Sequence, residues 1–95
     1  SVENDVVPQA FSLDQNYPNP FNPTTSISFT LSKVENVSLT VYNIIGQEVA
    51  SLVNGQMNAG LHVVTFNAAK LASGIYFYRL QTGDFLAIKK MVLLK

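Results

Sequence analysis

The chain has 95 residues, of which 47% are hydrophobic and 13% charged, and its formal net charge at pH 7 is zero. This length suits one domain with a single core, and the apolar composition excludes a disordered chain. The balanced charge excludes a nucleic-acid binder that relies on a broad positive field. With no cysteine in the sequence, disulfides and thiolate metal sites are excluded as well.

The N-terminal residues predict a linker followed by the start of a domain. Residues 1–10 include the acidic residues Glu3 and Asp5 and show no regular hydrophobic period, and the chain begins at Ser1 rather than at a methionine. We therefore expect residues 1–10 to be a linker from a preceding domain, and residues 11–95 to be the folded body. Phe11 to Leu13 are a possible short first strand.

A proline-rich segment, YPNPFNP, comes next. Proline fixes φ and disfavours helix in the preceding residue, so we expect an extended, ordered strap at the domain start. The strap comprises Tyr17, Pro18, Asn19, Pro20, Phe21, Asn22 and Pro23. In one interpretation Tyr17 and Phe21 plug one end of the fold while the prolines protect a sheet edge. In the other the strap is a recognition surface, because a stiff segment loses little entropy on binding.

The middle of the chain predicts three strands. Strict alternation of apolar and polar residues predicts strands at 25–31 and 37–42, and the short turn between them predicts a hairpin. The spacing at 47–53 also suits a helical turn, but the segment is short and is followed by a turn signal at Asn54 and Gly55, so we predict a shorter strand there.

The C-terminal half predicts three further strands. After Gly60 an alternating strand carries His62, Val64 and Phe66 on one face, and residues 67–73 form a small-residue connection that could hold one helical turn. The segments 75–82 and 85–94 predict a hairpin in which Gly83 supplies a positive φ. About seven antiparallel strands at this spacing predict an all-β, immunoglobulin-like sandwich of two sheets.

The residues offer little for catalysis. His62 shares a face with core residues, and no nucleophile or carboxylate pair is placed to work with it. We therefore expect no enzyme activity, no cofactor, no metal and no small-molecule substrate. A carbohydrate-binding or adhesion module remains the alternative, with a platform formed by the aromatic residues Tyr42, Tyr76, Phe77 and Tyr78.

The end of the chain, AIKKMVLLK, has two interpretations. In one it is simply the last strand, with Leu86, Ile88, Val92 and Leu94 on one face and solvated lysines beside them. In the other it is an edge strand to which a partner adds a strand of its own.

Four motifs provide a resemblance to a known family. They are YPNPFNP at 17–23, VYNIIGQEV at 41–49, LASGIYFYRL at 71–80 and KKMVLLK at 89–95. In this order and spacing they closely resemble the type A C-terminal sorting domain of proteins exported by the type IX secretion system. The resemblance covers nearly everything from Phe11 onward. The one departure is Gln47, where arginine is common, and we expect it to lie exposed and to matter little.

The resemblance implies a non-catalytic targeting module of a Gram-negative bacterium. Such a domain directs an attached N-terminal cargo domain through the periplasm and across the outer membrane, so that the cargo is secreted or held at the cell surface. The implied partners are the type IX outer-membrane translocon and, in many members, a sortase-like cysteine protease that removes the domain, here near residues 1–9. The residues on which we place translocon recognition are Gly74, Ile75, Tyr76, Lys89, Lys90, Met91, Val92, Leu93 and Leu94.

Overall fold

A computed structural model describes residues 11–95, which form seven β-strands and no helix, and hence no helix that could cross a membrane. The linker predicted at residues 1–10 lies outside the described residues. In chain order the strands are β1 (Ser12–Leu13), β2 (Thr24–Leu31), β3 (Glu35–Tyr42), β4 (Glu48–Met57), β5 (Gly60–Asn67), β6 (Gly74–Gln81) and β7 (Leu86–Leu93).

The strands build two antiparallel sheets. One has three strands in the order β1-β2-β5, and the other has four in the order β4-β3-β6-β7. The predicted all-β fold of two sheets is therefore confirmed.

Alternating side chains from both sheets meet in one hydrophobic core. The residues that lie inside, with 7% exposure or less, are Leu13, Phe21, Ile27, Phe29, Leu31, Val37, Leu39, Val41, Phe66, Ala68, Tyr76, Tyr78, Leu80, Met91 and Leu93. Each fully buried large side chain of this kind stabilises the fold by about 1.5–3 kcal/mol.

The hairpin predicted between β2 and β3 is wrong. β2 pairs with β1 and β5, whereas β3 pairs with β4 and β6 in the other sheet. Both strands alternate because each buries one face in the shared core, and this pattern is the same whether two strands pair or face each other.

β4 is longer than predicted. Asn54 and Gly55 do not form a turn but pair with Ser38 and Val37 inside the sheet, and Gly55 has no positive φ. The chain turns instead between Met57 and Gly60.

The hairpin predicted at the end of the chain is confirmed, with β6 and β7 paired from Gly74↔Leu93 to Gln81↔Leu86. The positive φ predicted for Gly83 is wrong. Thr82 holds this turn instead, because its hydroxyl accepts the N–H groups of Asp84 and Phe85 at 3.2 and 3.1 Å. The connection between β5 and β6, which could hold one helical turn, contains a single turn that the Leu71 N–H closes by donating to the Ala68 C=O at 3.0 Å.

Candidate recognition surface

The four sequence motifs meet at one end of the sandwich. The register places the start of β2 beside the end of β5 (Thr24↔Asn67), the end of β3 beside β6 (Tyr42↔Phe77), and the start of β6 beside the end of β7. We call this the motif end, formed by residues 21–23, 43–47, 68–74 and 94–95.

The strap covers the outer edge of β7. The side chain of Asn19 accepts the Val92 N–H at 3.0 Å, and the Phe21 N–H donates to the Val92 C=O at 2.9 Å. Before the strap, the Gln15 side chain donates to the Lys90 C=O at 2.7 Å. These bonds occupy the positions that an added strand would use. Of the two interpretations of the chain end, the open edge strand is therefore wrong for this part of β7.

A buried polar network anchors the segment that leads into the strap. The Tyr78 hydroxyl donates to the Asp14 C=O at 2.7 Å and accepts the Asn16 N–H at 2.8 Å. The Asn16 side chain, in a residue that is 2% exposed, donates to Thr25 Oγ1 at 3.0 Å and to the Pro18 C=O at 3.1 Å. Burial raises the pKa of Tyr78 to about 12, because the charged phenolate would lose its hydration.

The two aromatic residues of the strap have different roles. Phe21 is 2% exposed and packs against Phe66, with ring centroids 6.2 Å apart, so it plugs the motif end as predicted. Tyr17 is 81% exposed, and the prediction that it helps to plug the fold is wrong. Its backbone, by contrast, pairs with Ser26 of β2 through two hydrogen bonds of 2.9 Å. The backbone of Tyr17 thus serves the fold while its ring faces solvent.

The last two residues are fastened at the motif end. The Leu94 N–H donates to the Phe21 C=O at 3.0 Å, and the Lys95 N–H donates to Ser73 Oγ at 3.0 Å. The Lys95 ammonium donates to the C=O groups of Ala69 and Leu71 at 2.6 and 2.8 Å. These hydrogen bonds join the C-terminal motif to the strap and to the segment that leads into β6.

The fourth motif forms the turn between β3 and β4. The Asn43 side-chain oxygen accepts the N–H groups of Ile45 and Gln47 at 3.1 and 2.9 Å, which fixes the turn. Gly46 has a φ of 86°, a conformation that favours glycine. The turn holds Ile44 and Ile45 in solvent, with 69% and 74% exposure, and Gln47 is exposed as expected.

The outward-facing residues of β6 and β7 form a mixed apolar and basic surface. Cross-strand pairs place Ile75 beside Val92, Phe77 beside Lys90 and Arg79 beside Ile88. We call these six residues the outer β6–β7 surface. Arg79 lies 5.0 Å from the centre of the Tyr42 ring, a cation–π contact, and these two residues line a groove of about 400 Å³ together with Gly46, Phe77 and Ile88.

The predicted recognition residues are brought together by the β6–β7 hairpin, but only some of them reach the surface. Those on the exposed or half-exposed outer side are Gly74, Ile75, Lys90, Val92 and Leu94, and Lys89 is half-buried on the inner side. Tyr76, Met91 and Leu93 lie in the core, at 7%, 0% and 0% exposure. A receptor that binds the folded domain cannot contact these three residues directly.

The sequence did not show which face of β7 packs into the core. Leu86, Ile88 and Leu94, predicted to share a face with Val92, point outward with 55–57% exposure. Met91 and Leu93 supply the core side instead. The sequence analysis also missed Arg79 and Ile88 as surface neighbours, although their alternation with buried residues could have revealed them.

Of the four aromatic residues predicted to form a platform for carbohydrate binding or adhesion, only two are placed as predicted. Tyr76 and Tyr78 are buried, so only Tyr42 and Phe77 share the outer face.

His62 points inward, as predicted. Its ring stacks on Phe29 with centroids 5.4 Å apart, and Nε2 lies 2.7 Å from the Asn58 C=O. Among residues 11–95, no group of three His, Asp or Glu side chains lies close enough to hold a metal ion.

Fold and surface together define a small two-sheet β domain whose sequence motifs converge at one end. The chain belongs to the secretion system C-terminal sorting domain family, whose model matches residues 15–94. No curated protein matches its sequence. Membership supports a sorting role in type IX secretion, which implies export of an attached protein to the surface or surroundings of a Gram-negative cell.

Proposed function

We propose that this domain directs an attached N-terminal cargo protein through the type IX translocon across the outer membrane, and that the translocon recognises the folded domain. The observation that carries the proposal is the family match over residues 15–94, combined with the convergence of all four motifs at one end of the fold. A sorting signal that must serve any cargo needs a surface that is independent of the cargo, and a rigid sandwich provides one.

The outer β6–β7 surface is the proposed contact with the translocon. It combines large apolar side chains with the cations of Arg79 and Lys90, and neither cation forms an ion pair with another of residues 11–95. Apolar side chains interspersed with these two cations suit a partner that offers apolar and acidic groups. The buried residues Tyr76, Met91 and Leu93 act indirectly, by holding β6 and β7 in place.

Removal of the domain is a separate part of the proposal. A sortase-like cysteine protease would cleave near residues 1–9 and leave the cargo at the cell surface. The family resemblance alone supports this step, because these residues precede the described domain.

The export proposal is tested with a fluorescent protein fused in front of residues 1–95, in a strain that has the type IX machinery. We expect the reporter at the cell surface or in the medium, and in the periplasm when the translocon is deleted. Periplasmic retention of the intact fusion in the unmodified strain would contradict the proposal.

Point variants test the surface better than truncation. Deletion of residues 89–95 removes Met91 and Leu93 from the core, so it would abolish export through unfolding alone. Ile88→Ser and Lys90→Glu change exposed positions, and we expect each to reduce export while the domain stays folded. Val34→Ser, at a 51% exposed position in the turn between β2 and β3, is the matched control and should export normally. Equal export by all three variants would remove this surface from the proposal.

A further inference from the structure

The two long sides of the sandwich differ in how their edges are protected. On one side the strap covers β7, and β1 covers part of β2. On the other side β4 and β5 are the outermost strands of their sheets, and no strand within residues 11–95 pairs with their outer edges.

β5 is the less protected of these two edges. Exposed edge strands usually carry charges, prolines or bulges that prevent pairing with another chain. β4 has Glu48, and its pairing with β3 is interrupted by two register shifts. β5, with the sequence GLHVVTFN, has no charged residue and no proline, and it pairs with β2 over eight residues without a shift.

The register shows which groups β5 offers at its free edge. The backbone N–H and C=O of Ser26 in β2 point toward the strap, where they bond Tyr17. Successive residues of a strand direct these groups to opposite sides, so the odd-numbered residues of β2 bond β5. Their partners in β5 include His62 and Val64. The backbone groups of Leu61, Val63 and Thr65 therefore point toward the free edge.

The side chains beside this edge are apolar. Leu61 and Val63 lie on the outer face of the three-stranded sheet with 65% and 61% exposure. A strand that joined the edge would bond the free backbone groups and place its own side chains beside Leu61 and Val63.

We propose that two copies of this chain associate through β5, which pairs antiparallel with the partner's β5 about a two-fold axis at Val63. This register places Val63 opposite the partner's Val63 and Leu61 opposite the partner's Thr65. The two three-stranded sheets then form one continuous sheet of six strands.

Three points favour a second copy of this chain as the partner at the β5 edge. An antiparallel strand paired with itself is self-complementary under two-fold symmetry. Because β5 carries no charge, the pairing sets no like charges opposite each other. The zero formal net charge adds no long-range repulsion between copies.

The contact is small, so we expect weak association, with a dissociation constant of roughly 0.1–1 mM. The proposal does not depend on the export function.

Sedimentation equilibrium of the 95-residue chain, from about 10 μM to about 2 mM, measures this association. Val63→Lys sets two ammonium groups opposite each other, so we expect its dissociation constant to rise at least about tenfold. Ile45→Lys is the matched control, since Ile45 is 74% exposed in the turn between β3 and β4. It should leave the dissociation constant unchanged. Thermal melting of dilute samples shows whether both variants fold.

Cross-linking tests the register in the same protein. The chain has no cysteine, so Val63→Cys introduces a single thiol. Opposed residues of a hydrogen-bonded antiparallel pair have Cα atoms about 5.5 Å apart, within the range that a disulfide spans. We expect Val63→Cys to form disulfide dimers much faster than Ile45→Cys on mild oxidation. A monomer at every concentration, equal effects of the two lysine variants, or equal cross-linking rates would each overturn the proposal.

Discussion

Replacing Tyr78 with phenylalanine removes one hydroxyl group and tests what holds the strap's leading segment to the core. In the native domain this hydroxyl bonds two backbone groups, the C=O of Asp14 and the N–H of Asn16. The ring itself is fully buried and can keep its packing as phenylalanine. Any loss of stability in this variant therefore reports mainly on the two hydrogen bonds.

The expected magnitude follows from the surroundings of each partner. Asn16 is 2% exposed, so its N–H would be left without a partner away from water, which costs about 1–3 kcal/mol. Asp14 is exposed, so water can replace the tyrosine at its C=O and the loss there is about 0.5–1.5 kcal/mol. Together we expect Tyr78→Phe to lower the free energy of unfolding by about 2–4 kcal/mol, a large part of the roughly 5–15 kcal/mol that small domains possess.

Equilibrium unfolding in urea measures this loss, and Tyr76→Phe is the control. The Tyr76 hydroxyl makes one hydrogen bond, of 2.7 Å, to the C=O of the exposed residue Ala72. We expect the Tyr76→Phe variant to lose only about 0.5–1.5 kcal/mol. If Tyr78→Phe lost no more stability than Tyr76→Phe, the network would not anchor this segment and the reasoning would be refuted.

Three further predictions concern pH, the plug and the turn. The pKa of Tyr78 is raised to about 12, so the tyrosine stabilises the fold fully below a pH of about 10 and less as the pH rises toward 12. In urea titrations the free energy of unfolding should therefore fall more steeply with alkaline pH in the wild type than in Tyr78→Phe. Phe21→Ala should lower the free energy of unfolding by about 3–5 kcal/mol by leaving a cavity at the motif end, and a loss below about 1 kcal/mol would show that Phe21 is not a plug. Gly46→Ala forces alanine into a φ of 86° and should cost about 1–2 kcal/mol on thermal melting, whereas Gly55→Ala, inside β4, should cost clearly less.

The strands could be predicted from the sequence, but not all of their partners could. Alternation of apolar and polar residues shows that a strand buries one face, so the prediction that Ile27 and Leu39 lie in such strands is confirmed. It does not reveal which sheet a strand joins, and the β2–β3 hairpin was therefore wrong. The β6–β7 hairpin was right because two long strands flank a short polar turn.

The candidate site was predictable as a set of segments rather than as a surface. The sequence placed Ile75 and Val92 on one hairpin, as the structure has them, but it did not show that the strap would close the edge of β7. That closure depends on contacts such as Asn19 with Val92, which are 73 residues apart in sequence and have no local signal. The contact of Arg79 with Tyr42 depends in the same way on the pairing of β3 with β6.

Photo-cross-linking in exporting cells tests most directly whether the translocon recognises the folded domain through the outer β6–β7 surface. A photoreactive amino acid replaces Ile88 in one reporter fusion and Val34 in another, two positions of similar exposure, at 57% and 51%. After irradiation, mass spectrometry identifies the cross-linked proteins. We predict an adduct with an outer-membrane translocon component from position 88 and none from position 34. Equal adducts from both positions, or export without any adduct from position 88, would contradict the account.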